Sequence, residues 1–260
     1  TKGRGYTLLL SSHLARELPD IDAVDVLSER AIGEDIYGLD HVFDMLAKFE
    51  TLSIENASNL CLAGLVSKHP ETAISATKLG LAHETIDDET FLSALKQAYD
   101  HWKTHEKPYP VGGGVVPRSP RAEILDLIER ITPHSYNQIN KFLRDDRSDV
   151  NKFGEIKLME LLRTDEVHHK KFISDIKSET IGASYLTKAL DMNISFKASE
   201  LCEISSFIET ANPRLRYAAL ALLRYDGVDA EITTSLLKKA QSDPEQQIRD
   251  RAAYLSSYLE

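Results

Sequence analysis

Helical spacing of apolar residues along nearly the whole chain is the feature that most restricts its fold. One apolar stripe at i, i+1, i+4, i+7, i+8 and i+11 consists of Phe91, Leu92, Leu95, Ala98, Tyr99 and Trp102. A stripe of this kind forms one face of an α-helix. We find no convincing segment in which apolar and polar residues alternate between turn signals, as they would in a half-buried strand. The sequence therefore predicts an all-α protein.

The same pattern predicts fifteen helices. They are expected over residues 7–18, 22–32, 39–50, 53–67, 70–82, 88–106, 120–132, 135–144, 148–163, 165–177, 180–191, 196–211, 213–225, 229–242 and 244–259. The links are short, which favours antiparallel hairpins. A capping residue followed by proline marks three helix starts, at Ser119-Pro120, Asn212-Pro213 and Asp243-Pro244. Asp243 also has Gln246 three residues later, the spacing of a capping box.

Residues 107–119 interrupt the helical pattern with three prolines and the run Gly112-Gly113-Gly114. The charge also changes here. Residues 1–107 hold 10 Lys and Arg against 18 Asp and Glu, a net of −8, whereas residues 108–260 hold 21 against 23, a net of −2. The sequence predicts an N-terminal helical subdomain (1–106), a Pro/Gly-rich connector (107–119) and a C-terminal subdomain (120–260).

The C-terminal third repeats itself with a period of 33 residues. The matched positions are Leu215-Arg216 with Ile248-Arg249, Ala219 with Ala252, Leu222 with Leu255, Ile204 with Leu237 and Phe207 with Ala240. A period of this length is typical of stacked arrays in which each unit buries one face against its neighbour. We expect Ala219 and Ala252 to be buried where helices approach closely.

These residues resemble HEAT repeats. The segment from Ser242 to Leu259 has the family pattern of an Asp, a Pro, an aliphatic-Arg pair and a small residue. Asn212 to Leu223 is similar, although Thr210 stands at the position of the Asp, and a weaker copy begins at Asp145. The resemblance is clear over residues 196–260, and we extend it to 120–195. It implies an α-α superhelix of stacked antiparallel helix pairs, in which an Asp–Arg pair ties one repeat to the next.

Composition excludes several classes of protein. No apolar run approaches the roughly 20 residues that span a bilayer, so we expect no membrane partner. Cys61 and Cys202 lie among apolar neighbours, which predicts buried thiols in a reducing cytoplasmic compartment. There is no Cys-x-x-Cys for a zinc site. The net charge of −10 disfavours nucleic acid as a partner.

Two groups of residues are candidate binding sites. In the connector, Gly112, Gly113 and Gly114 lie between Tyr109 and Arg118. This loop could expose backbone amides to an anion or hold a peptide, although a linker is the simpler interpretation.

The second group contains Arg216 and Arg249, which recur on successive helices of the repeat, with Arg214 and Arg251 near them. A basic stripe for nucleic acid, as in HEAT-like DNA glycosylases, is one interpretation of these arginines. The preferred one is that Arg216 and Arg249 are structural, with Arg249 paired to Asp243 or to an acceptor in the preceding repeat.

The histidines do not predict a metal site. His101 and His105 have the i, i+4 spacing of zinc ligands, but no third ligand is evident, and we expect solvated side chains. His168-His169 lies among charged residues and is expected at the surface. No nucleophile motif is present. We therefore expect no catalytic residues, metal or cofactor.

The sequence favours a protein-interaction, scaffold or sensing module with a protein partner. Because the chain starts at Thr1, we expect a piece of a longer protein. The alternatives are a nucleic-acid-binding HEAT-like protein, such as a glycosylase-type enzyme, and a helical domain attached to a nucleotide-driven machine. The preference for protein binding is an analogy of fold.

Overall fold

A computed structural model describes residues 39–49, 52–83, 89–106 and 119–257. In these ranges the chain is helical and contains no strand. The helices are α1 (Leu39–Leu46), α2 (Ile54–Leu65), α3 (Pro70–Ala82), α4 (Glu89–His105), α5 (Arg121–Ile131), α6 (Tyr136–Phe142), α7 (Ser148–Thr164), α8 (His169–Lys177), α9 (Ala183–Asp191), α10 (Ala198–Ser206), α11 (Pro213–Ala219), α12 (Ala230–Gln241) and α13 (Gln246–Ser256). Short 3₁₀ segments cover Glu166–His168, Phe207–Glu209 and Leu220–Arg224. The all-α prediction is confirmed over the described residues.

Thirteen of the expected helices fall within the described residues, and each corresponds to a helix of the structure. The largest differences in length arise where the chain tightens into a 3₁₀ turn, before α8 and after α10 and α11. The expected helices at 7–18 and 22–32, and connector residues 107–118, lie outside the described residues. None of the described helices is both long and apolar enough to cross a bilayer.

The predicted helix starts have different outcomes. Asn212 caps α11 as expected, with its side-chain oxygen accepting from the Arg214 N–H at 2.8 Å and Pro213 in the first turn. The prediction at Asp243 is wrong, because α13 begins at Gln246 and no capping box forms. The Asp243 carboxylate accepts instead from the Glu245 N–H at 2.9 Å in the turn before the helix.

The chain forms two compact units, which divide between His134 and Ser135. In the first unit α3 packs against α1, α2 and α5, and α4 packs against α2 and α5. The indole N–H of Trp102 donates to the Leu65 carbonyl at 2.7 Å and thereby ties α4 to the end of α2. At Gly64 a Cβ would lie 2.5 Å from both Ala76 and Phe43, so only glycine allows this approach.

Helices α4 and α5, which flank the connector, are joined by a buried ion pair. The Arg121 guanidinium donates to Glu106 at 2.7 Å and to the Tyr99 hydroxyl at 2.9 Å, and Arg121 is almost fully buried. The expected subdomain boundary at 107–119 stays a prediction, since residues 107–118 are outside the described part of the chain.

In the second unit the helices form two rows. Consecutive helices pack as pairs, α6 with α7, α8 with α9, α10 with α11, and α12 with α13. Contacts between pairs run along a first row, α6, α8, α10 and α12, and along a second row, α7, α9, α11 and α13. One continuous apolar cluster from Tyr136 to Leu255 fills the space between the rows. Ala219 and Ala252 are fully buried in it, as the repeat predicts.

The two cysteines differ, and the prediction that both are buried is wrong for one of them. Cys61 is fully buried on α2, where burial raises the pKa of its thiol to about 12. Cys202 is exposed on α10. Because only the thiolate reacts with alkylating and disulfide reagents, the two thiols should differ in reactivity.

We expect a thiol reagent at about pH 8 to modify Cys202 rapidly in the native protein and Cys61 only after unfolding. Mass spectrometry of the timed reaction gives both rates. The variant Cys202→Ser should leave no fast-reacting thiol. Equal rates at the two sites would contradict the burial of Cys61.

Candidate binding surface

The connector residues proposed as a binding site lie outside the described part of the chain. They are Tyr109, Gly112, Gly113, Gly114 and Arg118. Their assignment therefore stays a prediction. The other three candidates, Arg214, Arg216 and Arg249, are all in the second unit, where the structure separates their roles.

Arg216 is a buried structural residue. Its Nε and Nη2 donate to the two carboxylate oxygens of Asp243 at 2.7 and 3.1 Å, and its Nη1 donates to the carbonyls of Thr210 and Ala211 at 3.1 and 2.9 Å. Arg216 is 8% exposed and Asp243 is 5% exposed. A bidentate, charge-assisted pair of this kind fixes distance and orientation together. It joins α11 to the turn that leads into α13.

The environment of Asp243 favours its charged form. Burial by itself raises the pKa of this carboxyl. The hydrogen bonds from Arg216 and from the Glu245 N–H, with the positive charges of Arg216 and Arg249, lower it by more, and the net pKa is below the ordinary value for Asp. The ion pair therefore stabilises the fold only while Asp243 is ionised.

Arg249, 33 residues after Arg216, also donates to two consecutive backbone carbonyls. Its Nη1 donates to the carbonyls of Asp243 and, at 2.9 Å, Pro244, and its Nη2 donates to the Gln246 side chain. The two carbonyls are the positions that bind Arg216, moved along by 33 residues. The structural interpretation of Arg249 is therefore correct, but its acceptor is the carbonyl of Asp243, and the carboxylate belongs to Arg216.

Arg214 is exposed on α11, the helix that also carries Tyr217, which the sequence does not single out. The Arg251 guanidinium is 5.9 Å from the centre of the Tyr217 ring and 5.6 Å from that of Tyr254, within the range of a cation–π contact. Tyr217 is 40% exposed and Tyr254 is 52% exposed. Arg214 precedes Tyr217 by three residues on α11, which places both on one helix face. We call Arg214, Tyr217, Arg251 and Tyr254 the aromatic–arginine cluster.

Arg214 and Arg251 have no carboxylate partner among the described residues, whereas several lysines on the second row do. On α7, Lys152 and Lys157 pair with Glu155 and Glu160 at 2.6 and 3.0 Å. Farther along the row, paired cations link one helix pair to the next, in the pairs Lys188–Glu155 and Arg224–Asp191. Arg214 is exposed and Arg251 is half-buried, and neither guanidinium is neutralised by a carboxylate of the described residues.

The expectation that His169 lies at the surface is wrong. His169 is buried between α7, α8 and α10, with Nε2 at 2.7 Å from the Leu162 carbonyl and Nδ1 at 3.3 Å from the Glu200 carboxylate. A carbonyl oxygen only accepts, so Nε2 carries the proton. Glu200 also accepts from the Lys197 N–H at 2.9 Å. The pair has a structural role, since it joins α8 to the first turn of α10.

The two histidines on α4 contact each other. The rings of His101 and His105 stack with their centres 4.2 Å apart, and His105 Nδ1 is 2.8 Å from the His101 carbonyl. In the described ranges no three His, Cys, Asp or Glu side chains are grouped as a metal ion would require.

Compared with protein-family models, curated proteins and solved structures, the chain matches none.

We expect the Arg216–Asp243 pair to contribute more to stability than an exposed pair. Arg216→Met or Asp243→Ala should each cost about 3–5 kcal/mol, because each leaves one buried charge without its partner. The double variant should cost less than the sum, since the two residues belong to one network. Urea denaturation measures these free energies of unfolding.

The matched control is Arg224 with Asp191, whose side chains are 43% and 39% exposed. Their coupling should be about 0–1 kcal/mol. Additive effects at Arg216 and Asp243, no larger than at the control pair, would show that the buried pair does not hold α11 to α13.

The lowered pKa of Asp243 predicts an acid-dependent loss of stability. Its contribution is fully present above the pKa of unfolded Asp, about 3.9, and is lost as the pH falls through the lower pKa of the folded state. The difference in unfolding free energy between the wild type and Asp243→Asn should be constant from neutral pH to about pH 5. Below that pH it should shrink. A difference that does not change with pH would contradict ionisation of Asp243 in the fold.

Proposed function

We propose that residues 135–257, the described part of the second unit, form a HEAT-like superhelix. The strongest support is the equivalence of Arg216 and Arg249, which bind backbone carbonyls at positions 33 residues apart. Hydrogen-bonded pairs separated by 33 residues, Lys188–Glu155, Arg224–Asp191 and Asn193–Asp226, fit the same period. In stacked arrays each unit contacts its neighbours at equivalent positions.

We infer that the chain is a protein-interaction or scaffold module, or a sensing module within a larger protein. One observation carries this inference: Tyr217 and Tyr254 are exposed and both contact Arg251, which has no ion-pair partner among the described residues. Tyr and Arg are enriched among the residues that contribute most to protein–protein binding. Large aromatic side chains have much area to bury against a partner and little conformational entropy to lose.

The alternative basic stripe for nucleic acid loses two of its members. Arg216 is buried against Asp243, and Arg249 donates to backbone carbonyls. The chain also carries a net charge of −10, which opposes association with a phosphate backbone. Protein binding is therefore the function that these residues support best.

Affinity capture from cells that express the chain tests this proposal. A partner that binds through the second row should be retained by the wild type and lost with the double variant Tyr217→Ala/Tyr254→Ala, as measured by quantitative mass spectrometry. Val167→Ala is the matched control, since Val167 is 80% exposed and lies between α7 and α8, outside the cluster. Equal retention by all three proteins, or retention of no protein, would contradict the proposal.

A further inference from the structure

We propose that the aromatic–arginine cluster binds the carboxylates of an acidic segment in a partner protein. This inference rests on the proposed protein-binding function and adds the chemistry of the partner. It makes Arg251 the primary anion contact and Arg214 a second one, with the tyrosine rings as apolar walls.

Arg251 contacts two tyrosine rings, which restrict the orientation of its guanidinium before a carboxylate binds. The group lies 5.9 Å from the centre of the Tyr217 ring and 5.6 Å from that of Tyr254, so the side chain is held by both α11 and α13. A guanidinium held against aromatic rings keeps its N–H groups available, and two of them match the two oxygens of a carboxylate. Less side-chain entropy is then lost when the anion binds.

The number of guanidinium groups in the cluster limits how many carboxylates the ligand can place there. Arg214 and Arg251 have no ion-pair partner among the described residues, whereas Lys152, Lys188 and Arg224 do. Two unpaired guanidinium groups can neutralise about two carboxylates of a short acidic segment. A nucleic acid gains affinity by having many phosphates neutralised, and two contacts contribute little to such binding.

The exposed apolar area makes the ligand a peptide instead of a free anion. The rings of Tyr217 and Tyr254 are about half exposed, and together with the guanidinium they offer a surface that is both apolar and cationic. Burying the rings under a partner side chain also removes water from the Arg251–carboxylate contact, which strengthens it. The preferred segment therefore combines Asp or Glu with an aliphatic or aromatic residue.

A display selection from a random peptide library, with the full chain as bait, tests this proposal. The wild type should enrich peptides with Asp or Glu next to apolar residues. The charge-reversed variant Arg214→Glu/Arg251→Glu should lose these peptides. The control Lys238→Glu should keep them, since Lys238 is an exposed cation on α12 in the first row.

The dissociation constant of the best acidic peptide provides the second measurement. Arg251→Ala should weaken binding by at least about tenfold, as expected for a lost charged hydrogen bond. Arg251→Lys keeps the positive charge and should lose less affinity, and that smaller loss measures the contribution of the two-pronged guanidinium geometry. Thermal melting checks that the substitutions at the half-buried Arg251 leave the fold intact. If the double reversal does not fold, Arg251→Lys and Arg251→Ala give the answer alone.

The outcomes separate this inference from the proposed function. Enriched peptides without excess Asp or Glu, or insensitive to Arg251, would overturn the acidic ligand and leave a protein-binding module. Enrichment of no peptide would count against both. A short oligothymidine that binds the wild type, and loses more affinity than the acidic peptide on charge reversal, would identify a nucleic-acid site instead.

Discussion

The buried pair between Arg216 and Asp243 sets the geometry on which the end of the second unit depends. Arg216 is on α11, and Asp243 is in the turn before α13, so their two parallel hydrogen bonds fix these helices against each other. Two charges in an apolar surrounding are stable only as a satisfied pair, which makes any other spacing of the helices costly. Tyr217 and Arg251 belong to the same two helices, and the distance between them follows from this pair.

In the second unit, apolar packing holds the helices together, and hydrogen-bonded side-chain pairs fix their register. The continuous core supplies cohesion between the two rows, and small residues such as Ala219 and Gly154 let the backbones approach. A Cβ at position 154 would lie 2.8 Å from the Phe142 Cβ, too close for an unstrained contact. Apolar contacts alone specify register poorly, whereas hydrogen bonds between defined atoms fix it. The side-chain pairs across successive helices of the second row serve this purpose.

The helices could be predicted from the sequence because a period of 3.6 residues is a local signal. The structural role of Arg216 and Arg249 could also be predicted, from the resemblance of their segments to HEAT repeats. The start of α13 could not be predicted, because the Asp243 carboxylate binds Arg216, which is 27 residues away in the sequence. His169 and Cys202 were placed wrongly because sequence neighbours do not reveal which side of a helix another helix covers. The aromatic–arginine cluster needs contact between residues 34 apart, and the only local hints are the i, i+3 spacings of Arg214 with Tyr217 and of Arg251 with Tyr254.

The division of the cluster between two helices has a mechanical consequence. Tyr217 is on α11, while Arg251 and Tyr254 are on α13, so a change in the angle between these helices alters the gap that holds the guanidinium. Stacked arrays bend by small rotations between neighbouring units. In the superhelix that we propose, a ligand bound across both helices would oppose such a rotation, and a force that rotates one helix pair against the next would weaken binding of the ligand. Under that proposal, occupancy of the cluster and the angle between α11 and α13 are coupled.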